Sequence, residues 1–460
     1  MRQSLTTVLI ATGVAGLLLL CRWLLAREPD PFMRRIILLA FLAKLGGTFA
    51  FHAVLSNVYG GSGDTNRYFN AGGRLAPVIR GGTLPDQATD VGTPFMEFLA
   101  GAMFALLPHN RMLGNLVFSL LAFAGMLLFL QAFRLGVPDG DHRRYAVLIL
   151  LLPTMGFWTS TLGKEAWMVF MLGASAYGAA RVFRRKRFGY ALIAVGGAGM
   201  FMMRPHMTAL MAVSLAIAYV VRIRDKSVKQ RGILWFAGLI IVVLGAIYVT
   251  ENYSDEYLDD SAREESATSQ VFARTADMTD RGGSAFDARP VRSPADLVHA
   301  MITVPFRPFL TEAHNRVAQI ASLEGLALLA LFVVSLPRLG ALPRHLLRTP
   351  YLAFLVTYAL GFIVAFSNVA NFGILTRQRA QLLPFLVALV ALPAAKDRFS
   401  RRSRGKGPPL VPAPTKSTAD TPQPEARGDG HVEPEDPNAF VARSGIELVA
   451  DLPEDSVRHS

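Results

Sequence analysis

Residues 115–133 read NLVFSLLAFAGMLLFLQAF, nineteen positions without a charged side chain. An α-helix needs roughly 17–25 such residues to cross a bilayer. Barrel strands alternate in hydrophobicity and this run does not, so it reads as a transmembrane helix. Comparable runs recur along the 460-residue chain, which is 52% hydrophobic with a mean hydropathy of +0.35. The expected fold is all-α, a polytopic transmembrane helical bundle.

Short basic loops on either side of that run orient the rest. Arg34-Arg35, Arg184-Arg185-Lys186-Arg187, the stretch from Arg222 to Arg231 and the stretch from Lys396 to Lys406 all flank apolar runs. Arg143-Arg144 and the trio Arg338, Arg344 and Arg348 agree with them. Cationic loops stay on the cytoplasmic side. The formal charge of +13 therefore reflects topology, not a nucleic-acid surface. Threading gives about eleven spans, near 5–21, 36–55, 115–133, 146–161, 166–182, 190–203, 207–222, 233–250, 320–336, 350–367 and 380–395. An odd count places the N-terminus outside and the C-terminus in the cytoplasm.

Two apolar runs need separate treatment. Residues 94–108 are short, and letting them cross would invert every later loop, so they read as a re-entrant or interfacial helix. The run from Leu5 to Leu20 is followed by Arg22, Arg27, Arg34 and Arg35 rather than a small-residue cleavage site, so it is expected to be a retained span. The membrane domain is then 1–396, with outer loops 56–93 and 251–318. Within the first loop, Asn70 to Ile79 has an amphipathic pattern, and the second opens on an acidic run expected to be a solvated face. The segment 397–460, rich in Pro, Arg, Gly and Asp, is expected to be a disordered cytoplasmic tail. The single cysteine, Cys21, leaves no intrachain disulfide and no cysteine-based metal site.

Five polar islands interrupt the apolar runs, and this topology puts all of them on the outer side. They are Gly63-Asp64-Thr65-Asn66-Arg67-Tyr68; Phe157-Trp158-Thr159-Ser160 with Gly163-Lys164-Glu165; Met203-Arg204-Pro205-His206; Phe306-Arg307-Pro308-Phe309 with Glu312, His314 and Asn315; and Asn371-Phe372-Gly373 with Arg377-Gln378-Arg379. Charge at the mouth of a span is costly and tends to be functional. Asp64 fits a general base or a divalent-cation ligand, and equally an Asx turn or N-cap. Glu165 suits the first turn of a helix, while Lys164 suits headgroup contact or a phosphate. A turn at Pro205 needs neither Arg204 nor His206, and a guanidinium fork matches phosphate bidentately. Arg307 suits either a phosphate or a clasp with Glu312. Positive-inside bias disfavours Arg377 and Arg379 where they stand, and an anionic ligand accounts for them. The candidate catalytic residues are Asp64, Glu312 and His314. The candidate phosphate ligands are Lys164, Arg204, His206, Arg307, Arg377 and Arg379.

The order of these islands over residues 36–395 resembles multi-pass bacterial membrane proteins of the oligosaccharide-repeat and exopolysaccharide polymerase type, within the wider polyprenyl-phosphate-dependent glycosyltransferases. That resemblance implies glycosyl transfer from a polyprenyl-diphosphate-linked donor at the outer face of the cell membrane, metal-independent or assisted by a divalent cation. It also implies a catalytic carboxylate in the first outer loop, matched here by Asp64. The chain departs from the pattern in carrying an extra leading span and in lacking a second paired carboxylate. The implied partners are a polyprenyl-phosphate-linked glycan, the lipid bilayer and other envelope-biosynthesis proteins. A transporter or flippase for a lipid-linked or anionic precursor, and a non-catalytic envelope scaffold, are the competing readings.

Overall fold

The computed structural model describes residues 26, 28–57, 63–223, 286, 289–313, 316–340, 342–346 and 349–393. The expected spans 5–21 and 233–250, the acidic run after Glu251, the 397–460 tail, His314 and Asn315 lie outside these. Every regular element among the described residues is helical. In chain order they are α1 (Pro31–Asn57), α2 (Asp64–Arg80), α3 (Thr93–Leu106), α4 (Arg111–Gly136), α5 (His142–Leu151), α6 (Pro153–Phe157), α7 (Lys164–Phe183), α8 (Gly189–Met203) and α9 (Pro205–Ile223). Then follow α10 (Pro294–Phe306), α11 (Arg316–Val334), α12 (Leu336–Leu339), α13 (Leu342–Leu346), α14 (Pro350–Phe366), α15 (Phe372–Gln378) and α16 (Leu383–Val390).

Four of these helices, α1, α4, α7 and α9, are long and apolar enough to cross a membrane, while α3, α8, α11 and α14 are shorter apolar helices. Two expected spans are interrupted. The run 146–161 breaks after Leu151, because Pro153 has no amide to donate and instead starts the short helix α6. The run 380–395 is likewise not one helix. A 3-10 turn at Arg379–Gln381 precedes α16, whose eight residues rise only about 12 Å. The amphipathic pattern at 70–79 falls inside α2, and the short run 94–108 forms α3, packed along α2 as a hairpin.

Small residues let the long helices touch backbone to backbone. A Cβ on Gly173 of α7 would lie 2.4 Å from the Gly125 carbonyl oxygen of α4. One on Gly196 of α8 would lie 2.6 Å from the Met171 carbonyl of α7. Close approach of this kind replaces the hydrophobic drive that lipid removes. Beside them, Phe385 of α16 stacks on Tyr358 at 3.9 Å and meets Phe129 and Phe354 edge-on.

Polar groups sort into three tiers along the bundle. At one end Arg134 pairs with Glu28 at 2.7 Å, Arg143 with Asp30 at 2.9 Å and Arg338 with Asp141 at 3.6 Å. In the middle, Lys44 lies halfway along α1, is 1% exposed and donates to the Met155 carbonyl at 2.8 Å and to Thr159 Oγ1. Nearby, Glu324 of α11 accepts from the Thr154 amide at 3.0 Å and from its hydroxyl at 2.5 Å. Lys44 and Glu324 thus satisfy the opposite ends of α6, where a broken helix frees backbone groups. The third tier, at the other end, gathers most of the islands.

Candidate functional site

The site forms where four chain breaks meet. Gly63, at φ +138°, turns the chain into α2 so that Asp64 is its first helical residue rather than its N-cap. The turn before α7 is anchored by Asn115, whose Oδ1 accepts from the Thr161 hydroxyl at 3.2 Å and the Leu162 amide at 3.0 Å. Thr65, next to Asp64, docks its hydroxyl on that of Thr161 at 3.1 Å. Gly163 is extended, and Lys164 and Glu165 open α7. Arg204 is the single-residue joint between α8 and α9, held out of helical geometry by the proline that follows it. Asn371 caps α15 by accepting from the Ile374 amide at 3.1 Å, which places Arg377 in the last turn.

Glu165 is the hub. Its Oε1 takes Arg204 Nη2 at 3.1 Å and lies 3.3 Å from Arg377 Nε. Arg377 Nη1 reaches on to Asp64 Oδ2 at 3.1 Å. Arg204 Nη1 donates to Gln378 Oε1, which also accepts from Gln381 Nε2 at 2.6 Å. Lys164 Nζ donates to Thr93 Oγ1 at 2.8 Å, from the start of α3. Three cations and two carboxylates leave one positive charge in excess. Glu165 is buried, whereas Asp64 is 56% exposed, so its carboxylate stands at the open mouth.

The electrostatics follow from this packing. Glu165, then Asp64, hold the Arg377 guanidinium above its ordinary value despite partial burial, so it stays charged. Burial, then the carboxylates of Asp64 and Glu165, push the Tyr68 phenol well up, so it stays a neutral hydroxyl beside the cluster.

Asp64, Lys164, Arg204 and Arg377 therefore come together as one site, from islands spread across the chain. Others fall elsewhere. Arg379, expected as a phosphate ligand, is fully buried in the middle tier. It donates to the carbonyls of Pro305 at 3.0 Å and Arg307 at 3.2 Å and pairs with Glu324 at 3.4 Å. Arg307 and Glu312 form the clasp at 3.0 Å, and Glu312 also accepts from the Phe309 amide at 2.9 Å, which spends the carboxylate locally. His206 is exposed and joins none of the cluster contacts above. Sequence reasoning set aside Glu165 as a first-turn residue and passed over Lys44, although a lone lysine inside an apolar run is itself a signal.

A divalent cation does not fit here. Both carboxylates are already turned to arginine, in a cluster of excess positive charge, and no group of three His, Cys, Asp or Glu suited to a metal occurs among the described residues. No protein-family model, curated protein or solved structure matches this chain.

Proposed function

We propose that the chain is an integral-membrane glycosyltransferase or glycan polymerase using a polyprenyl-diphosphate-linked sugar donor at the outer face of the cell membrane. One observation carries this reading: Arg204 and Arg377, distant in sequence, both pair with Glu165, Arg377 also reaches Asp64, and Lys164 stands next to Glu165 at the start of α7. In the reaction, an acceptor hydroxyl forms a bond to the anomeric carbon as the bond from that carbon to the diphosphate oxygen breaks. The departing negative charge goes to the three cations, whose positions are set before the substrate arrives. The hydroxyl proton goes to Asp64, the exposed carboxylate. Apolar helix faces cradle the prenyl chain. The N-terminus is then outside and the C-terminus cytoplasmic.

The test uses membranes carrying Arg204→Ala or Arg377→Ala, assayed for surface glycan and for lipid-linked precursor. Lost glycan with accumulated precursor is the expected result, and unchanged glycan in both variants sinks the reading. Asp64→Asn separates chemistry from assembly, since it should stop transfer while donor still binds.

A transporter or flippase for a lipid-linked or anionic precursor is the second reading, favoured by the buried Lys44 and the broken helix α5–α6 beside it. Proteoliposomes that move intact precursor inward or outward without releasing the diphosphate carrier would establish it instead.

A further inference from the structure

We infer a second oxyanion-binding site, in a recess between α10, α14 and α15. It is independent of the glycosyl-transfer reading. Arg289, His299, Thr303, Arg307 and Ser367 line it, with Phe286 as a wall. Leu375 of α15 also lines it, whereas Arg377, two residues further on, faces the Glu165 cluster. A single short helix thus separates the two sites.

Arg307 is the reason to expect a ligand. One of its Nη atoms pairs with Glu312 at 3.0 Å, and its guanidinium sits 4.8 Å above the Phe286 ring. Its Nε is buried and has no acceptor among the described residues. A guanidinium carries five donors, and a buried donor without an acceptor is costly. Around it stand the His299 imidazole and Arg289, which pairs through Nε with Asp296 at 2.9 Å. The Thr303 and Ser367 hydroxyls already donate to the carbonyls of His299 and Val364, so the guanidiniums and the imidazole are the donors left for a ligand. Asn368, beside Ser367 in the chain, is buried with both amide atoms unpartnered.

The enclosed space is about 10 Å³, roughly that of one water. It admits one oxygen of a ligand whose remainder stays outside. Asp296 and Glu312 offset the two arginines, so binding here rests on the free donors of the recess rather than on net positive charge. Phe366, the last residue of the apolar helix α14, lines it. A phosphate ester with an apolar tail matches this combination, one oxygen on the guanidinium and the tail along the helix. The chemistry is shared by a lipid headgroup and by free phosphate.

The experiment is hydrogen exchange on the full chain, read at the amides of 289–307 and 366–369. Inorganic phosphate is added in detergent, and phosphatidic acid is added in phosphatidylcholine nanodiscs. Protection by phosphatidic acid alone identifies a headgroup, and protection by phosphate as well identifies the free anion; both support the site. Arg307→Gln should weaken the protecting ligand about tenfold. His299→Gln, which leaves both ion pairs intact, serves where Arg307→Gln fails to fold. Absence of protection in the wild type overturns the inference, as does protection that survives His299→Gln and any folded Arg307→Gln. Arg204→Gln should leave these segments unaffected.

Discussion

Glu165 gathers two guanidiniums on one oxygen inside a buried pocket. Removing its charge leaves Arg204 with only the neutral Gln378 amide and Arg377 with only the half-exposed Asp64, and breaking a buried pair costs up to about 3–5 kcal/mol. Glu165→Gln should therefore lower thermal stability in detergent sharply. Asp64, more than half exposed, should cost under about 1 kcal/mol as Asp64→Asn, because water screens its pair. A melting curve on the two variants checks the contrast and shows whether an activity lost in Asp64→Asn is chemical. A pH effect belongs to Asp296 on α10. A hydrogen bond from Ser293 holds its carboxyl below the ordinary range against an opposing burial effect, with smaller help from the Arg292 amide and Arg289. A depressed carboxylate adds stability above its unfolded pKa and loses it as pH falls through the folded one. The protection factors of the first-turn amides of α10 should fall below about pH 4, and Asp296→Asn should abolish that dependence.

Helices are held to each other here by the absence of side chains as much as by their presence. A Cβ at Gly47 would sit 2.1 Å from the Gly156 carbonyl, whereas one at Gly46 meets nothing within 4 Å. Gly47→Ala should destabilise by about 1–3 kcal/mol through overpacking. Gly46→Ala should be neutral or gain up to about 1 kcal/mol from helix propensity. The same comparison holds for Gly173→Ala against Gly197→Ala, since the latter also points into open space. Helix α6 gives a third measurement: Lys44→Met removes the donor to the Met155 carbonyl and should cost about 1–3 kcal/mol in a denaturant melt. Hydropathy made α1, α4, α7 and α9 legible, because length and composition alone define a crossing helix. The break at Pro153 was not, since Leu148 to Leu152 and Met155 to Trp158 are apolar on both sides of it. Nor could a one-dimensional pattern separate Arg377 from Arg379. Two helical steps turn a side chain by about 200°, and the neighbours on each side then decide its role.

Across the whole molecule, ion pairs at the two ends and the charges between them predict sidedness. Because Asp64 and Arg204 belong to one cluster through Glu165 and Arg377, cysteines at Asp64 and His206 in a Cys21→Ser background should label from the same side, expected to be the outer one. A cysteine at Arg187 should label from the opposite side; labelling of Asp64→Cys and His206→Cys from different sides overturns the arrangement. An expectation that several islands share one face was legible from basic-loop counting. Which carboxylate they share was not, because Glu165 has an adequate local explanation at the start of α7. Asp64 meets Arg377 across 313 positions, and chains are synthesised from the N-terminus. A ribosome has thus completed both carboxylates and Arg204 well before the second guanidinium exists. Until α15 is made, Arg204 is the only one of the two guanidiniums that Glu165 can pair with. A chain stopped before residue 372 should insert its long helices yet present an unfinished mouth.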